Sequence, residues 1–247
     1  MQGVGRSNRL APILNRFTVR GSQLMVKNLL VIIPAYNAAS TISGLIEKLS
    51  LHVEKGNMVV VDDGSEDQTS DLAENAGVLV LSHFHNMGKG EALKTGFGYA
   101  IENDYNAVIT IDADLQHDPG FIPDFVAKAE ESGDILIGTR KRNLRNMPLA
   151  RWFTNHLSSV IISILADQSI RDSQSGYRYI SVKVLKRIKL ISERYDLEPE
   201  LLIKAGRLGF QIKDVSISTI YTQGKSYINP LVDAGRFIRL MWRSLWW

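Results

Sequence analysis

Short apolar runs alternate with longer segments of helical periodicity through the first half of this chain. Five runs rich in β-branched residues predict strands that are buried on both faces; they cover residues 29–34, 58–61, 78–81, 107–112 and 135–138. Segments with apolar positions three or four apart predict the intervening helices, at residues 38–51, from Ser65 or Asp67 to Glu74, 90–102 and 119–131. This regular alternation predicts an α/β fold: a doubly wound, mainly parallel sheet with helices on both faces.

An amphipathic helix is predicted at the C-terminus, over residues 231–247. At 100° per residue its basic face carries Arg236, Arg239 and Arg243, and its apolar face carries Leu231, Phe237, Ile238, Met241 and Leu245. Three tryptophans, Trp242, Trp246 and Trp247, fall along the borders and at the end. This pattern is typical of a helix that lies on a membrane surface. Packing on the protein's own core, or at an oligomer interface, is the alternative, and a helix predicted near residues 151–166 offers a second contact surface.

Composition sets further bounds. The 247 residues are 45% hydrophobic and 22% charged, which is ordinary for a globular protein. The absence of cysteine excludes disulfides and cysteine-based zinc sites. The densest apolar run, residues 160–166, is far shorter than the roughly 18 residues that a membrane span requires.

The chain divides into three predicted parts. Residues 1–27 carry five basic residues and no acidic one, which indicates a basic flexible extension, with organelle targeting as the alternative. Residues 28–230 form the globular domain, and residues 231–247 the terminal helix. Because the net charge of +3 is concentrated in the extension and that helix, nucleic-acid binding is not expected.

Polar residues follow three of the predicted strands, at 34–37, 62–63 and 112–114. In parallel sheets ligands bind at the carboxyl ends of strands, so we expect these clusters to share one crevice. Asp112 and Asp114 stand two residues apart, on the same side of an extended backbone. Such a pair suits Mg²⁺ or Mn²⁺, whose shell substrate phosphates complete. The sequence therefore predicts a diphosphate-bearing substrate; a solvated turn before Asp118-Pro119 is the alternative.

A glycine-rich segment, residues 86–96, precedes a helix but matches neither the dinucleotide fingerprint nor a Walker A sequence. Lys89 within it suits contact with a phosphate, or it is simply an exposed lysine in a turn. His83 and His85 are interpreted as ordinary surface residues rather than a zinc site. His117, beside the paired aspartates, is a candidate for a supporting role there.

Four ordered motifs resemble those of the family 2 glycosyltransferases, and more narrowly those of the polyprenyl-phosphate hexose synthases, the dolichyl-phosphate mannosyltransferase group. They are Val31 to Asn37, Val61 to Ser65, Asn86 to Gly90 and Asp112 to His117. The resemblance implies a GT-A fold, a nucleotide-sugar donor, inversion at the anomeric carbon and a divalent metal.

The resemblance also implies roles for individual residues. Pro34, Ala35 and Tyr36 would line the nucleotide pocket, Asp63 with Asp62 would hydrogen-bond the base, and Lys89 would lie near the base and ribose. Asp112, Asp114 and Gln116 would hold the metal, with Asp112 also close to the sugar nucleotide and Asp114 central to catalysis. At Asn37-Ala38 the chain departs from the Asn-Glu of many relatives, which removes one carboxylate from the donor site.

The second half resembles the same group at Gly138-Thr139-Arg140 and at Asp172 to Arg178. Arg140 and Arg178 are then candidate catalytic residues that bind the acceptor phosphate and the donor diphosphate, with structural ion pairing as the alternative. A lipid phosphate needs no general base, because its second pKa lies near 6. Glu198 and Glu200 stay possible bases for a hydroxyl acceptor.

The resulting prediction is a peripheral enzyme at the cytoplasmic face of a membrane. It would transfer mannose or glucose from a GDP- or UDP-hexose to polyprenyl phosphate, of the dolichyl or undecaprenyl type. The alternatives are transfer to a glycan or glycolipid hydroxyl, and a non-catalytic nucleotide-sugar-binding or scaffold protein.

Overall fold

The computed structural model describes residues 28–131, 133–140, 149–218, 230–244 and 246–247. The predicted extension, residues 1–27, lies outside the described residues. Within them the strands are β1 (Leu29–Ala35), β2 (Met58–Asp62), β3 (Leu79–Ser82), β4 (Ala107–Thr110), β5 (Ile135–Arg140), β6 (Arg178–Ser181) and β7 (Ile212–Ile217). The helices are α1 (Ile42–Ser50), α2 (Thr69–Asn75), α3 (Lys89–Glu102), α4 (Ile122–Glu131), α5 (Leu149–Ala166), α6 (Val182–Leu185), α7 (Leu197–Arg207) and α8 (Pro230–Ser244).

The described strands form one mixed sheet in the order β3-β2-β1-β4-β6-β5-β7. All neighbouring strands run parallel except β6, which is antiparallel to both β4 and β5. The predicted mainly parallel α/β sheet is confirmed. Strands β6 and β7 and helix α6 were not predicted.

Side chains of the central strands alternate between two apolar cores, one on each face of the sheet. Leu29, Val31 and Ile33 of β1 pack in the core that α1 and α4 cover. Leu30 and Ile32 point into the core formed with α3, α5 and α7. Burial on both faces explains the unbroken apolar run of β1.

Helix α8 packs one face on the protein and exposes the other. Leu240 and Ser244 are buried, while Phe237 and Trp247 lie against the second core. Ile238, Trp242 and Trp246 are exposed, at intervals of four residues. Ile238, on the predicted apolar face, is exposed, and the predicted place of this helix on a membrane surface stays a prediction.

As the sequence predicts, no helix in the described ranges is long and apolar enough to span a membrane.

Candidate active site

The carboxyl ends of β1, β2 and β4 meet at one edge of the sheet. Ala35 of β1 is level with Asp62 of β2, and Ile32 is level with Thr110 of β4. Asp112 follows β4 by two residues, so the sheet brings it to the edge where Tyr36 and Asp62 lie. The three predicted clusters therefore lie at the same edge of the sheet.

Asp62 and Asp63 are buried and accept hydrogen bonds from the loops around the crevice. The Asp62 carboxylate accepts from the Ser65 amide at 3.1 Å and from the hydroxyls of Ser65 and Ser70. Asp63 accepts from the Met87 amide at 2.9 Å and the Gly88 amide at 2.7 Å. Both carboxylates thus position the walls of the crevice, and the predicted contact of Asp63 with a base stays a prediction.

A pocket of about 390 Å³ opens between the loops that follow β1, β2 and β3. It is lined by Tyr36, Asp62, Gly64, Ser65, Glu66, Ser70, Ser82, His83, Phe84, His85 and Asn86. Tyr36 and Asp62 therefore lie where the sequence predicts a nucleotide pocket. Pro34 and Ala35 are buried within β1 and support this pocket without lining it.

His83 has a structural position that the sequence interpretation missed. Its ring nitrogens lie 2.7 Å from the Asp63 carboxylate and 2.9 Å from the Thr95 hydroxyl, so the ring joins the β2 turn to helix α3. Treating His83 as an ordinary surface residue was wrong. The signal was its place at the carboxyl end of a strand, opposite Asp62-Asp63 in the parallel register.

Lys89 lies between two carboxylates, near the carboxyl end of β4. Its Nζ is 2.7 Å from Oδ1 of Asp112 and 3.3 Å from Glu198. Burial lowers the pKa of Lys89, but the two carboxylates raise it by more, so the ammonium stays charged. The predicted place of Lys89 beside the base and ribose stays a prediction; in this structure Lys89 pairs with Asp112. Its neighbours Gly88 and Gly90 pack closely on the backbone at Glu193, which fixes the start of α3 there.

The paired aspartates are in different environments. Burial raises the pKa of Asp112, but the charges of Lys89, His117 and Arg178 together lower it by more, so Asp112 is ionised. Asp114 is exposed, and partial desolvation together with the negative charge of Asp112 raises its pKa. Such mutual repulsion is what a bound cation relieves. The backbone N–H of Gln116 donates to the Asp114 carboxylate at 3.0 Å, so residues 114–116 form a compact turn.

These residues fit a hard divalent cation. Within the described part of the chain, no group of three or more histidine and carboxylate side chains is placed to enclose a metal. The predicted ligands are the carboxylates of Asp112 and Asp114 and the side-chain oxygen of Gln116, and substrate oxygens would take the remaining positions. Mg²⁺ is usually held in this way.

Gly176 packs directly behind Asp112. A Cβ atom at position 176 would lie 2.7 Å from both Cγ and Oδ1 of Asp112. The Thr110 hydroxyl donates to the Gly176 carbonyl at 2.8 Å, which fixes this approach. The motif that contains Gly176 is visible in the sequence, but sequence reasoning assigned this glycine no function.

His117 is buried beside the aspartates and packs against Tyr177, with ring centroids 5.4 Å apart and the rings tilted by 46°. Burial lowers the pKa of His117. The charge of Asp112 raises that pKa and the charge of Arg140 lowers it, and the net effect is a lowering. No hydrogen-bond partner for its Nδ1 is found among the described residues. Its predicted supporting role stays a prediction.

The two predicted arginines differ sharply. Arg140 is partly exposed and forms a bidentate ion pair with the buried Asp172. Its Nε lies 2.7 Å from Oδ2 and its Nη2 lies 3.0 Å from Oδ1. Arg178 is buried and donates to the carbonyls of Ser173, Ser175 and Glu198. Arg140 can reach a substrate, whereas the surroundings of Arg178 favour the structural alternative.

Neither candidate base is available in this structure. Glu198 is mostly buried and pairs with Lys89. Glu200 is fully buried, accepts from the amides of Ile191 and Ser192, and pairs with Lys204 at 2.5 Å.

Comparisons with known proteins agree with this geometry. Residues 30–189 match the family described as Glycosyl transferase family 2. The chain is 34% identical over 224 residues to the UDP-N-acetylglucosamine–dolichyl-phosphate N-acetylglucosaminyltransferase of Methanococcus voltae, covering 80% of this chain and 87% of the relative. It is 29% identical over 202 residues to the undecaprenyl-phosphate mannosyltransferase of Micrococcus luteus, covering 77% and 83%.

A solved structure is also similar, that of glucosyl-3-phosphoglycerate synthase from Mycobacterium tuberculosis in complex with Mn²⁺, UDP and glucosyl-3-phosphoglycerate. The TM-score is 0.68 at 25% identity, covering 88% of this chain and 78% of that one. Because residues 30–189 match the family and the sheet resembles that of this solved structure, the chain belongs to glycosyltransferase family 2 and has a GT-A fold.

Proposed function

We propose that this glycosyltransferase transfers a hexose, mannose or glucose, from a GDP- or UDP-hexose to polyprenyl phosphate at the cytoplasmic face of a membrane. The transfer inverts the anomeric carbon and depends on Mg²⁺ or Mn²⁺. The observation that carries the proposal is the carboxylate pair at the end of β4, with a nucleotide-sized pocket on one side and Arg140 on the other. The polyprenyl phosphate acceptors named for the two relatives support the choice of acceptor.

On the donor side, Asp112, Asp114 and Gln116 would hold the metal, and a divalent cation there would supply charge neutralisation for the departing diphosphate. Tyr36 and the loop around Ser65 would bind the nucleoside in the pocket. Lys89 holds Asp112 ionised and in place. The protein thus presents a preorganised negative pair to a cation, and its two buried aspartates at the end of β2 keep the pocket walls fixed.

On the acceptor side, Arg140 would bind the phosphate. An acceptor phosphate oxygen attacks the anomeric carbon, the bond from that carbon to the diphosphate breaks, and its electron pair leaves with the nucleoside diphosphate. The phosphate is largely ionised at neutral pH and gives up no proton. Because Glu198 and Glu200 are engaged inside the protein, a hydroxyl acceptor, which needs a base, is less well served.

The surface supports a lipid acceptor. Ile238 and Trp242 of α8, and Trp246 just beyond its end, are exposed, and so are Arg239 and Arg243. Helix α5 exposes a second stripe, Leu157, Val160 and Ile164. Tryptophan beside arginine suits the interface of an anionic bilayer, where an aromatic ring finds both apolar and polar surroundings.

Transfer itself is the test of the function. Purified protein with Mn²⁺ would be incubated with polyprenyl phosphate or 3-phosphoglycerate and a panel of GDP- and UDP-sugars, followed by lipid extraction. We expect labelled sugar in the lipid phase, lost on chelation and in Asp112→Asn. Asp104→Asn is the matched control, because Asp104 is exposed in a left-handed conformation that asparagine also adopts. Product only in the aqueous phase, or full activity in Asp112→Asn, would overturn the proposal.

Membrane binding is tested separately by flotation with anionic phospholipid vesicles. The double variant Trp242→Ala, Trp246→Ala should float less than wild type, while Leu51→Ala, which removes an exposed leucine after α1, should float normally. Equal flotation of all three proteins would reject this surface.

A further inference from the structure

Phe84 stands on the loop between β3 and α3, at the mouth of the 390 Å³ pocket. Its exposed fraction is 106%, so its ring makes almost no contact with the rest of the protein. Single exposed apolar residues are common on protein surfaces and need no special explanation. Phe84 differs because it is both fully exposed and part of a pocket lining.

The backbone on the N-terminal side of Phe84 is firmly held. The His83 amide donates to the Asp62 carbonyl at 2.9 Å. The His83 ring bridges the Asp63 carboxylate and the Thr95 hydroxyl. Phe84 therefore begins from a residue that is tied both to the β2 turn and to α3.

The backbone on the C-terminal side is held as well. Asp63 accepts from the amides of Met87 and Gly88. Gly64 has a φ of +71°, and a Cβ there would lie 2.5 Å from the His85 carbonyl carbon and 2.8 Å from the Asn86 nitrogen. The loop thus lies directly on Gly64, and it presents an exposed ring from a fixed backbone.

We infer that Phe84 supplies a stacking face for the nucleobase of the sugar nucleotide bound in this pocket. The inference rests on the proposed function and adds a residue to its donor site. A flat aromatic ring on a fixed loop loses little conformational entropy on binding, so stacking on it is effective. Stacking is tolerant of base identity. Phe84 should therefore strengthen binding of uridine and guanosine nucleotides alike, and leave the choice between them to the polar lining.

Nucleotide binding measured by calorimetry, with UDP and GDP in the presence of Mn²⁺, tests this inference. Phe84→Ala should raise the Kd of the nucleotide that wild type binds by about 5- to 150-fold, the usual range for losing one base stack. The KM of the donor should rise with it, while kcat and the KM of the acceptor stay at wild-type values. Leu51→Ala, another exposed apolar truncation, should bind normally, and both variants should unfold at the wild-type temperature.

Phe84→Trp gives a readout that a structural role would not move. It should retain wild-type affinity, and nucleotide should quench the fluorescence of the added indole. Wild-type affinity in Phe84→Ala, or no quenching in Phe84→Trp, would overturn the inference and leave the proposed function intact. If wild type bound neither nucleotide, the proposed function would fail, and the inference with it.

Discussion

Gly176→Ala should impair the proposed metal site while leaving the fold nearly intact. The added Cβ would lie 2.7 Å from Cγ and Oδ1 of Asp112. Since carbon and oxygen atoms pack comfortably at roughly 3.5 Å, the carboxylate must move by roughly 1 Å. That is about half of a Mg²⁺–oxygen bond length of about 2.0–2.1 Å, in a coordination sphere that demands near-ideal geometry.

The two consequences differ in size. Asp112 is partly exposed and can swing outward, so the loss of stability should be about 1 kcal/mol, the lower end for overpacking. A misplacement of roughly 1 Å can cost on the order of 10²-fold in rate, and we expect kcat to fall by about that factor. Mn²⁺ affinity, measured by electron paramagnetic resonance with nucleotide present, should fall too.

Two other glycines provide matched controls. In Gly96→Ala the Cβ would lie 2.5 Å from Cγ2 of the buried Ile32, so stability should fall while Mn²⁺ binding is kept. A Cβ at Gly98, also in α3, would have no described neighbour within 4 Å, so Gly98→Ala should stabilise the helix by about 0.5–1 kcal/mol. Wild-type transfer and Mn²⁺ affinity in Gly176→Ala would refute the reasoning.

Three further results are expected from urea unfolding. Lys89→Met removes the ion-pair partner of Asp112 and one of the two cations beside Glu198, and should lower the free energy of unfolding by about 3 kcal/mol, since it breaks a largely buried pair. An unchanged urea midpoint would contradict the pairing. The lowered pKa of Asp112 stabilises the folded protein at pH values above the ordinary carboxyl pKa of about 3.9. The difference in unfolding free energy between wild type and Asp112→Asn should therefore be constant near neutral pH. It should shrink as the pH falls below about 4. Arg178→Met should lower the free energy of unfolding by about 3–5 kcal/mol, because the buried carbonyls of Ser173 and Ser175 lose their hydrogen-bond donor. Lost transfer with an unchanged urea midpoint would instead indicate substrate contact.

The first five strands are predictable from sequence because each contains a continuous apolar run, although β3, at the edge of the sheet, is only partly buried. Strand β6 was missed because its four residues begin with an arginine and end with a serine. Strand β7 was missed because the charged residues Lys213 and Asp214 lie in its middle. Neither strand has the continuous apolar run that identifies the other five.

The candidate site shows the same division. Tyr36 and Asp112 were found because strand ends converge in any parallel sheet. Gly176 and Asp172 act on residues far away in sequence, Asp112 and Arg140, so no local pattern reveals what they do. Only the motif that contains both marked them as unusual.

The position of β6 between β4 and β5 has a consequence for biosynthesis. As the ribosome extends the chain, β1 to β4 emerge first and can pair with one another, but β5 then has no neighbour in the sheet until residues 178–181 appear. Non-local pairing of this kind delays folding and leaves strand edges open. We therefore expect the pocket after β1, β2 and β3 to form on a nascent chain before Gly176 is synthesised and can pack behind Asp112. An arrested fragment that ends before β6 should be prone to associate through the open edge of β4.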